Sequence, residues 1–190
     1  MLYTLHCNGK KNWVTNVCYT LYRHGFGYVW ENGGVENIKT FIATFRQRLF
    51  DCHVQNLDSV ISSKERFSLY SSFRQIHNTP TYLQAVKNPA LRKYITRIRL
   101  GVSQLKPHQL RHSKKQENIN CPFCPDTKES ELHFILVCTQ YKTLRELYIP
   151  SKYYVHPNAF KLTLLLSDTR SCIPLALFLS KAFTIRSQAS

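Results

Sequence analysis

Four metal-binding side chains within eighteen residues constrain the fold of this chain more than any other feature of its sequence. They are Cys121, Cys124, His133 and Cys138, spaced C-x2-C-x8-H-x4-C. Two cysteines two residues apart hold one metal ion from a tight turn, and a later histidine and cysteine complete the tetrahedron of ligands that zinc prefers. The spacing therefore predicts a closed, structural zinc site. The alternative is that Cys121 and Cys124 are ordinary buried thiols and that His133 lies on a helix face.

The residues between these ligands favour the metal site. Asp126-Thr127-Lys128 indicates a turn after the first two cysteines. Ser130 is placed to cap a helix that runs to Val137. His133 and Cys138 are five residues apart, which on a continuous α-helix separates them by about 140°. We therefore expect the helix to tighten or to end just before Cys138.

Charge is the second constraint. The 190-residue chain has a formal net charge of +15 and a pI of about 9.7, which predicts a polyanionic partner: nucleic acid or, less often, an anionic membrane. Residues 66–116 contain eleven Lys and Arg residues and no Asp or Glu. We call this stretch the basic window. A solvated helix face usually carries both positive and negative charges, so a stretch with positive charges only favours a phosphate-binding surface over a merely solvated one.

One helix carries the clearest pattern in the basic window. Asn88 and Pro89 predict its start, because a capping Asn followed by proline at the first helical position is a common N-terminus. Its core-facing stripe consists of Leu91, Tyr94, Ile95, Ile98 and Val102. Its outer face is expected to consist of Arg92, Lys93, Arg97 and Arg99. The candidate nucleic-acid contacts of the whole window are Arg92, Lys93, Arg97, Arg99, Lys106, Arg111, Lys114 and Lys115.

Apolar periodicity elsewhere predicts a mainly α fold, a helical bundle with a small CCHC zinc-binding module. The predicted helices cover 12–23, about 35–56, 67–73 with a cap at Ser62 or Ser63, 82–83, 141–148, 159–166 and 174–183. Connectors are predicted at 26–30 and 151–157, and the tail from Arg186 onward is expected to fray. The predicted segments are a helical bundle (1–78), a basic helix and linker (79–118), the zinc module (119–149) and C-terminal helices (150–190).

The other cysteines indicate a reducing environment. They are Cys7, Cys18, Cys52 and Cys172. No secretory segment precedes them, and no apolar run approaches the ~20 residues of a membrane-spanning helix. These thiols are therefore expected to be free, in an intracellular compartment.

The acidic residues argue against catalysis. Polymerases hold two divalent cations with paired carboxylates. The four Asp residues of this chain, at 51, 58, 126 and 168, are scattered, and no Tyr-x-Asp-Asp-type sequence is present. Cys52 and His53 do not suit a thiol enzyme, because catalytic partners usually meet through the fold and not as neighbours in sequence. The chain is therefore predicted not to be an enzyme.

Several motifs occur together in a characteristic order. They are Ile95–Gly101, a basic linker, Cys121–Cys124, Glu129–Phe134, Cys138–Tyr141 and Leu144–Arg145. This order resembles the zinc-binding region at the C-terminal end of the reverse transcriptases of LINE-type (non-LTR) retrotransposons. Upstream, Trp13 and the stretches 25–30, 45–49 and 65–70 resemble the helical segment before that region. One departure is Thr139, where the family usually has proline, which weakens the expected helix stop and removes no ligand.

The resemblance implies a function. It implies that Cys121, Cys124, His133 and Cys138 bind zinc, and that the module binds template RNA or target DNA in the nucleus without catalytic apparatus of its own. The expected partners are RNA or DNA and other segments of the retroelement polyprotein, and no membrane. The alternative is a structural or protein-interaction remnant, in which zinc only holds the fold and the chain does not bind nucleic acid.

Overall fold

The structure is a computed structural model that describes residues 12–74, 79–112 and 118–188. The chain is helical over these ranges and has no β-strand in them; an isolated antiparallel bridge joins Asn120 and Lys128. The predicted mainly α fold with a Cys/His cluster is confirmed. The chain forms two compact units, Met1–Val60 and Ile61–Ser190.

The first unit contains helices α1 (Trp13–Arg23), α2 (Gly27–Glu31) and α3 (Ile38–Ser63), the last of which continues past the unit boundary. Helix α1 lies within the predicted range 12–23, and Asn12 caps it, its side chain accepting the Thr15 N–H at 3.0 Å. Helix α1 ends before Gly25, whose φ of 84° suits glycine. The Phe26 ring lies edge-on to the rings of Phe41 and Phe45, with centroids 5.7 and 5.2 Å away.

Two predictions for this unit are wrong. Residues 26–30 are not a connector, since α2 forms there and brings Gly27 so close to Tyr22 that a Cβ on Gly27 would lie 2.6 Å from that ring. Helix α3 runs beyond the predicted end at 56, because no Gly or Pro interrupts it, and it includes Ser62 and Ser63, so the next turn begins after Lys64.

The second unit contains eight α-helices in its described part, joined by short turns. They are α4 (Ser68–Ser71), α5 (Tyr82–Ala85), α6 (Pro89–Arg99), α7 (Lys106–Gln109), α8 (Lys142–Tyr148), α9 (Ser151–Tyr154), α10 (Ala159–Ser167) and α11 (Cys172–Gln188). The 3-10 turns are Glu65–Phe67, Leu110–His112, Thr139–Tyr141 and Thr169–Ser171, and His133–Val137 is a π-helical turn. Helix α9 replaces part of the connector predicted at 151–157.

The core of this unit surrounds α11, which packs on α6 and α8. Helix α11 is apolar on almost every side, as expected of a helix buried in a core. Ile98 of α6, Phe134, Tyr141 and Phe178 of α11 are all fully buried in one cluster. The Phe134 and Tyr141 ring centroids lie 4.8 Å apart. Side chains from 79–118, 119–149 and 150–190 therefore share one core.

The C-terminal end of this core helix differs from prediction. Helix α11 reaches Gln188, and Arg186 is buried in a salt bridge with Glu129, so the expected fraying from Arg186 is wrong up to Gln188. No single helix in the described ranges is long and apolar enough to cross a membrane. Ala159–Ser167 and Thr169–Gln188 meet that criterion only as a pair bent by 77°.

Helix α6 begins and ends as predicted. The Asn88 side chain accepts the Ala90 N–H at 2.9 Å. At the other end, the Val102 N–H bonds to the Arg97 carbonyl at 2.9 Å across Gly101, whose φ is 60°. A Cβ on Gly101 would lie 2.5 Å from the Arg66 carbonyl oxygen, so only glycine fits. This stop turns Val102 out of the predicted stripe, and it is 45% exposed.

Candidate metal centre and nucleic-acid interface

The structure brings the four predicted ligands together. The ligand atoms of Cys121, Cys124, His133 and Cys138 all lie within 4.8 Å of one another. The Cys138 Sγ lies 3.8 Å from the Sγ of Cys121 and 3.8 Å from that of Cys124. A tetrahedron with metal–sulfur bonds of about 2.3 Å has edges of about 3.8 Å, whereas a disulfide brings sulfurs to about 2.05 Å. The spacing is that of thiolates around one metal ion.

A tight turn presents the first two ligands. The Cys124 N–H donates to the Cys121 carbonyl at 3.3 Å, and the Thr127 N–H donates to the Cys124 carbonyl at 3.0 Å. The chain then returns, since the Cys121 N–H donates to the Thr127 carbonyl at 2.8 Å. The turn predicted at 126–128 is confirmed, and it holds both sulfurs on the inside of the bend.

A π-helical turn presents the other two ligands. Ser130 caps it as predicted, its Oγ accepting the His133 N–H at 3.1 Å. The Cys138 N–H donates to the His133 carbonyl at 2.7 Å, an i→i+5 bond. The predicted end of the helix just before Cys138 is confirmed, since the π-helical turn ends at Val137; the helix does not tighten but widens by one residue before it ends. Widening places the residue five positions on nearly above His133, so both side chains reach the same ion.

The His133 ring has the surroundings of a ligand. Both of its ring nitrogens are buried, and neither has a hydrogen-bond partner in the described part of the chain. Burying such polar atoms unpaired is costly, and a metal ion bonded to one nitrogen removes part of that cost. Burial lowers the pKa of His133, which favours the neutral, metal-binding form of the imidazole.

Burial acts in the opposite direction on the thiol ligand Cys138. Burial and, to a smaller extent, the neighbouring Cys121 together raise the pKa of Cys138 to about 12, so without a cation this thiol keeps its proton. Metal thiolates are deprotonated, and metal binding here must therefore release protons.

Arg145 fixes the end of the π-helical turn from inside the core. Its Nε–H donates to the Ile135 carbonyl at 2.8 Å, and its terminal nitrogen donates to the Cys138 carbonyl at 2.6 Å. The side chain is buried, and these carbonyls are ones that the abrupt helix end would leave unpaired. Sequence reasoning missed this role, because a basic residue on a helix more often faces solvent.

Glu129 connects the metal-binding stretch to two other elements. Its carboxylate is fully buried and accepts two hydrogen bonds from Arg186 of α11, at 2.7 and 2.8 Å. The same carboxylate accepts the backbone N–H of Lys106, the first residue of α7, at 2.6 Å. The hydrogen bonds to Glu129 raise the pKa of Arg186. A partner 57 positions away leaves no local signal in the sequence, so this contact was not predicted.

A second polar chain joins α7 to the same stretch. The Nε2 of His108 lies 2.8 Å from Glu131 Oε1, and its Nδ1 lies 2.7 Å from Ser103 Oγ. The Ser103 backbone N–H also donates to Nδ1 at 3.2 Å, which leaves the ring proton on Nε2, facing the carboxylate. Burial alone would raise the pKa of Glu131, but the hydrogen bond from His108, a backbone hydrogen bond and the charge of Arg111 together lower it.

Six of the eight predicted basic residues fall into three groups, and a seventh, Lys106, is partly exposed at the start of α7. Lys93 is exposed and Arg97 is partly exposed one turn later on α6, and neither forms a salt bridge within the described ranges. Arg92 donates to the Leu83 carbonyl at 3.0 Å, and Arg111 donates to the Gly101 carbonyl at 2.9 Å. Lys114 and Lys115 lie outside the described residues.

Arg99 does not lie on the outer face of α6, and that prediction is wrong. It is 6% exposed and donates to the Leu166 carbonyl at 2.5 Å. Its guanidinium carbon lies 4.2 Å from the Phe73 ring centroid and 4.8 Å from that of Tyr82. Burial lowers its pKa. Arg99 is one helical turn after Ile95, so it shares the core-facing side of the helix.

Charge is divided unequally between the two units. Residues 61–190 contain 20 basic and 7 acidic residues, a net charge of +13, whereas residues 1–60 contain six basic and four acidic residues, a net charge of +2. The metal cluster and the predicted basic contacts all belong to the charged unit. No protein-family model, curated protein or solved structure matches the chain.

Proposed function

We propose that this chain is a non-catalytic nucleic-acid-binding module built on a structural zinc site, derived from the C-terminal end of a non-LTR retrotransposon reverse transcriptase. The observation that carries the proposal is the net charge of +13 on residues 61–190, compared with +2 on residues 1–60. Such a field attracts a polyanion, and the exposed Lys93 and Arg97 are available to phosphates. The partner is RNA or DNA, and the proposed location is the nucleus.

Zinc is the proposed metal because of the ligands and their geometry. Three thiolates and one imidazole are the soft and borderline donors that select zinc over magnesium or calcium. The two sulfur–sulfur distances of 3.8 Å match a tetrahedron, which structural zinc sites adopt. Four protein ligands leave no position for a water or a substrate, which supports a structural role.

Removing the two exposed cations of α6 is expected to weaken the salt dependence of binding. Each phosphate contact contributes about −0.7 to the slope of log K against log salt on single strands and about −0.9 on duplex. A Lys93→Gln, Arg97→Gln variant should therefore have a slope shallower by about 1.4 or 1.8, measured by mobility shift at several salt concentrations.

The matched control is Lys152→Gln, Lys181→Gln, which removes two exposed charges of the same unit away from α6. It should change the slope much less than the α6 variant. An unchanged slope in the α6 variant, or an equal change in the control, would contradict the assignment of phosphates to α6.

A protein-binding role is the second candidate, and the first unit favours it. Residues 12–60 are neutral, and α3 exposes apolar side chains, among them Ile38 at 63% and Ile42 at 56%. Exposed apolar patches commonly mark protein interaction sites. This role becomes the better explanation if the zinc-loaded full chain does not bind RNA or DNA even at low salt.

A further inference from the structure

A polar cleft lies in the second unit, between α7 and the end of α11, and none of the described residues that line it is acidic. It has a volume of about 560 Å³, within the range of small-ligand sites. Its lining includes the carboxamides Gln104, Gln109 and Asn118, the cations Lys106 and Arg186, and the apolar side chain of Leu110. Gln104, Gln109 and Asn118 are exposed to solvent.

The walls of this cleft are fixed from within the core. Glu129 binds the backbone N–H of Lys106 and the guanidinium of Arg186 at the same time, so one buried carboxylate positions both sides. Because Glu129 and Arg186 neutralise each other, the Lys106 ammonium supplies the uncompensated charge of the cleft. A cleft held in this way does not need to be ordered by its ligand, which favours binding.

The carboxamides point to a ligand other than phosphate alone. A phosphodiester only accepts hydrogen bonds, whereas a carboxamide offers a donor and an acceptor side by side. The edge of a nucleobase presents the same adjacent pair, which is why Asn and Gln bind bases in two-point contacts. In a duplex the Watson–Crick edge is already paired, so a base must be unpaired to present that edge to a cleft of this kind.

We propose that this cleft binds an unpaired base of single-stranded nucleic acid. The base edge contacts Gln104 and Gln109, the base face lies against Leu110, and the adjoining phosphate contacts Lys106. The inference rests on the proposed nucleic-acid binding and adds to it a preference for single strands and for particular bases.

The test uses the zinc-loaded full chain with homopolymeric single strands of A, C and U and a duplex of the same length. The wild type should bind a single strand more tightly than the duplex and should prefer one base. Gln104→Ala, Gln109→Ala should weaken binding to the preferred strand roughly 5- to 150-fold, the range for one lost two-point base contact. Its salt slope should stay unchanged, because no charge is removed.

Lys106→Gln should have the complementary effect. It should make the salt slope on single strands shallower by about 0.7 and leave the order of base preference as it is. The matched control for the glutamines is Gln84→Ala, Gln140→Ala, which removes two exposed carboxamides outside the cleft. It should change neither the affinity for the preferred strand nor the salt slope.

Two results separate this inference from the proposed function. A wild type that binds all homopolymers and the duplex equally, or a Gln104→Ala, Gln109→Ala variant that keeps its base preference, overturns the inference and leaves nucleic-acid binding standing. A wild type that binds no nucleic acid overturns both. All the substituted side chains except Lys106 are exposed, and equal thermal unfolding temperatures will verify that the variants fold.

Discussion

A Cys124→Ser variant is expected to lose its metal ion and with it most of the folded structure of residues 61–190. Structural zinc contributes an apparent free energy of about 10–16 kcal/mol in small zinc modules. The whole stability of a domain is about 5–15 kcal/mol. Losing one of four ligands therefore removes more free energy than the fold has in reserve.

The loss should not remain local to the metal-binding stretch. Cys121 and Cys138 are buried in the same cluster as Phe134 and Phe178, so the ligands are themselves part of the core. Without the ion, Cys138 is a protonated thiol beside two others, and both nitrogens of His133 remain buried without a partner. We expect this unfavourable free energy to destabilise the packing of α11 against the rest of the unit.

Two spectroscopic signals separate the units in this experiment. Both tryptophans, Trp13 and Trp30, belong to the first unit, so their fluorescence reports residues 12–60. Circular dichroism reports the helices of both units. Cys124→Ser, or chelation of the wild type, should lower the helical signal strongly and change the tryptophan signal little. Metal content, measured by mass spectrometry, should be one ion per wild-type chain and far less in the variant.

The control is Cys172→Ser, which changes a buried cysteine of the same core that is not a ligand. It should keep one metal ion and lose only the small free energy of burying a hydroxyl group. Wild-type protein that binds no zinc after refolding with it, or Cys124→Ser that keeps its metal, would contradict the assignment. Substitution by cobalt(II), whose visible spectrum reports tetrahedral thiolate coordination, tests the geometry directly.

The metal ligands can be predicted from the sequence because all four lie within eighteen residues of one another. Cys121 and Cys124 sit on one turn, and His133 and Cys138 on one helical segment, so backbone geometry alone limits where they lie. Whether the helix tightens or widens between His133 and Cys138 cannot be predicted from the sequence. Widening reduces the angle between the two side chains, and Arg145, further along the chain, donates to the Ile135 and Cys138 carbonyls at the end of the widened turn.

Among the helices, the predictable features are those with a cap or a stop in their own sequence. Asn12 and Asn88 cap their helices, and Gly101 ends one of them, as their types indicate. Predictions fail where a distant contact decides the structure. Arg99 is buried because aromatic rings and the Leu166 carbonyl receive it, and Arg186 does not fray because Glu129 holds it.

Glu129→Gln is expected to lower the free energy of unfolding of residues 61–190 by about 3–5 kcal/mol, the cost of breaking a buried ion pair by removing one partner. The penalty arises from Arg186, which is 5% exposed and would lose the carboxylate that accepts two of its hydrogen bonds. The amide of glutamine also has only one acceptor atom, whereas the carboxylate now accepts three hydrogen bonds through two oxygens.

The measurement is urea unfolding of metal-loaded protein, followed by circular dichroism, with metal content determined on the same samples. Metal content should be equal in wild type and variant, which separates loss of the ion pair from loss of the zinc site. Glu146→Gln is the control, because Glu146 is exposed on α8 and its replacement should change stability by no more than about 0.5 kcal/mol.

Replacing both partners distinguishes an unpaired charge from a lost contact. In Glu129→Met, Arg186→Met both charges of this pair are removed, and apolar replacements of a buried ion pair are often neutral or stabilising. The double variant should therefore be more stable than Glu129→Gln, although it still lacks the acceptor for the Lys106 N–H. If the double variant is the less stable of the two, the three hydrogen bonds of Glu129 contribute more to stability than neutralising the charge of Arg186 does. If Glu129→Gln unfolds within about 0.5 kcal/mol of the wild type, the size of a surface substitution, the ion pair does not hold α7, α11 and the metal-binding stretch together.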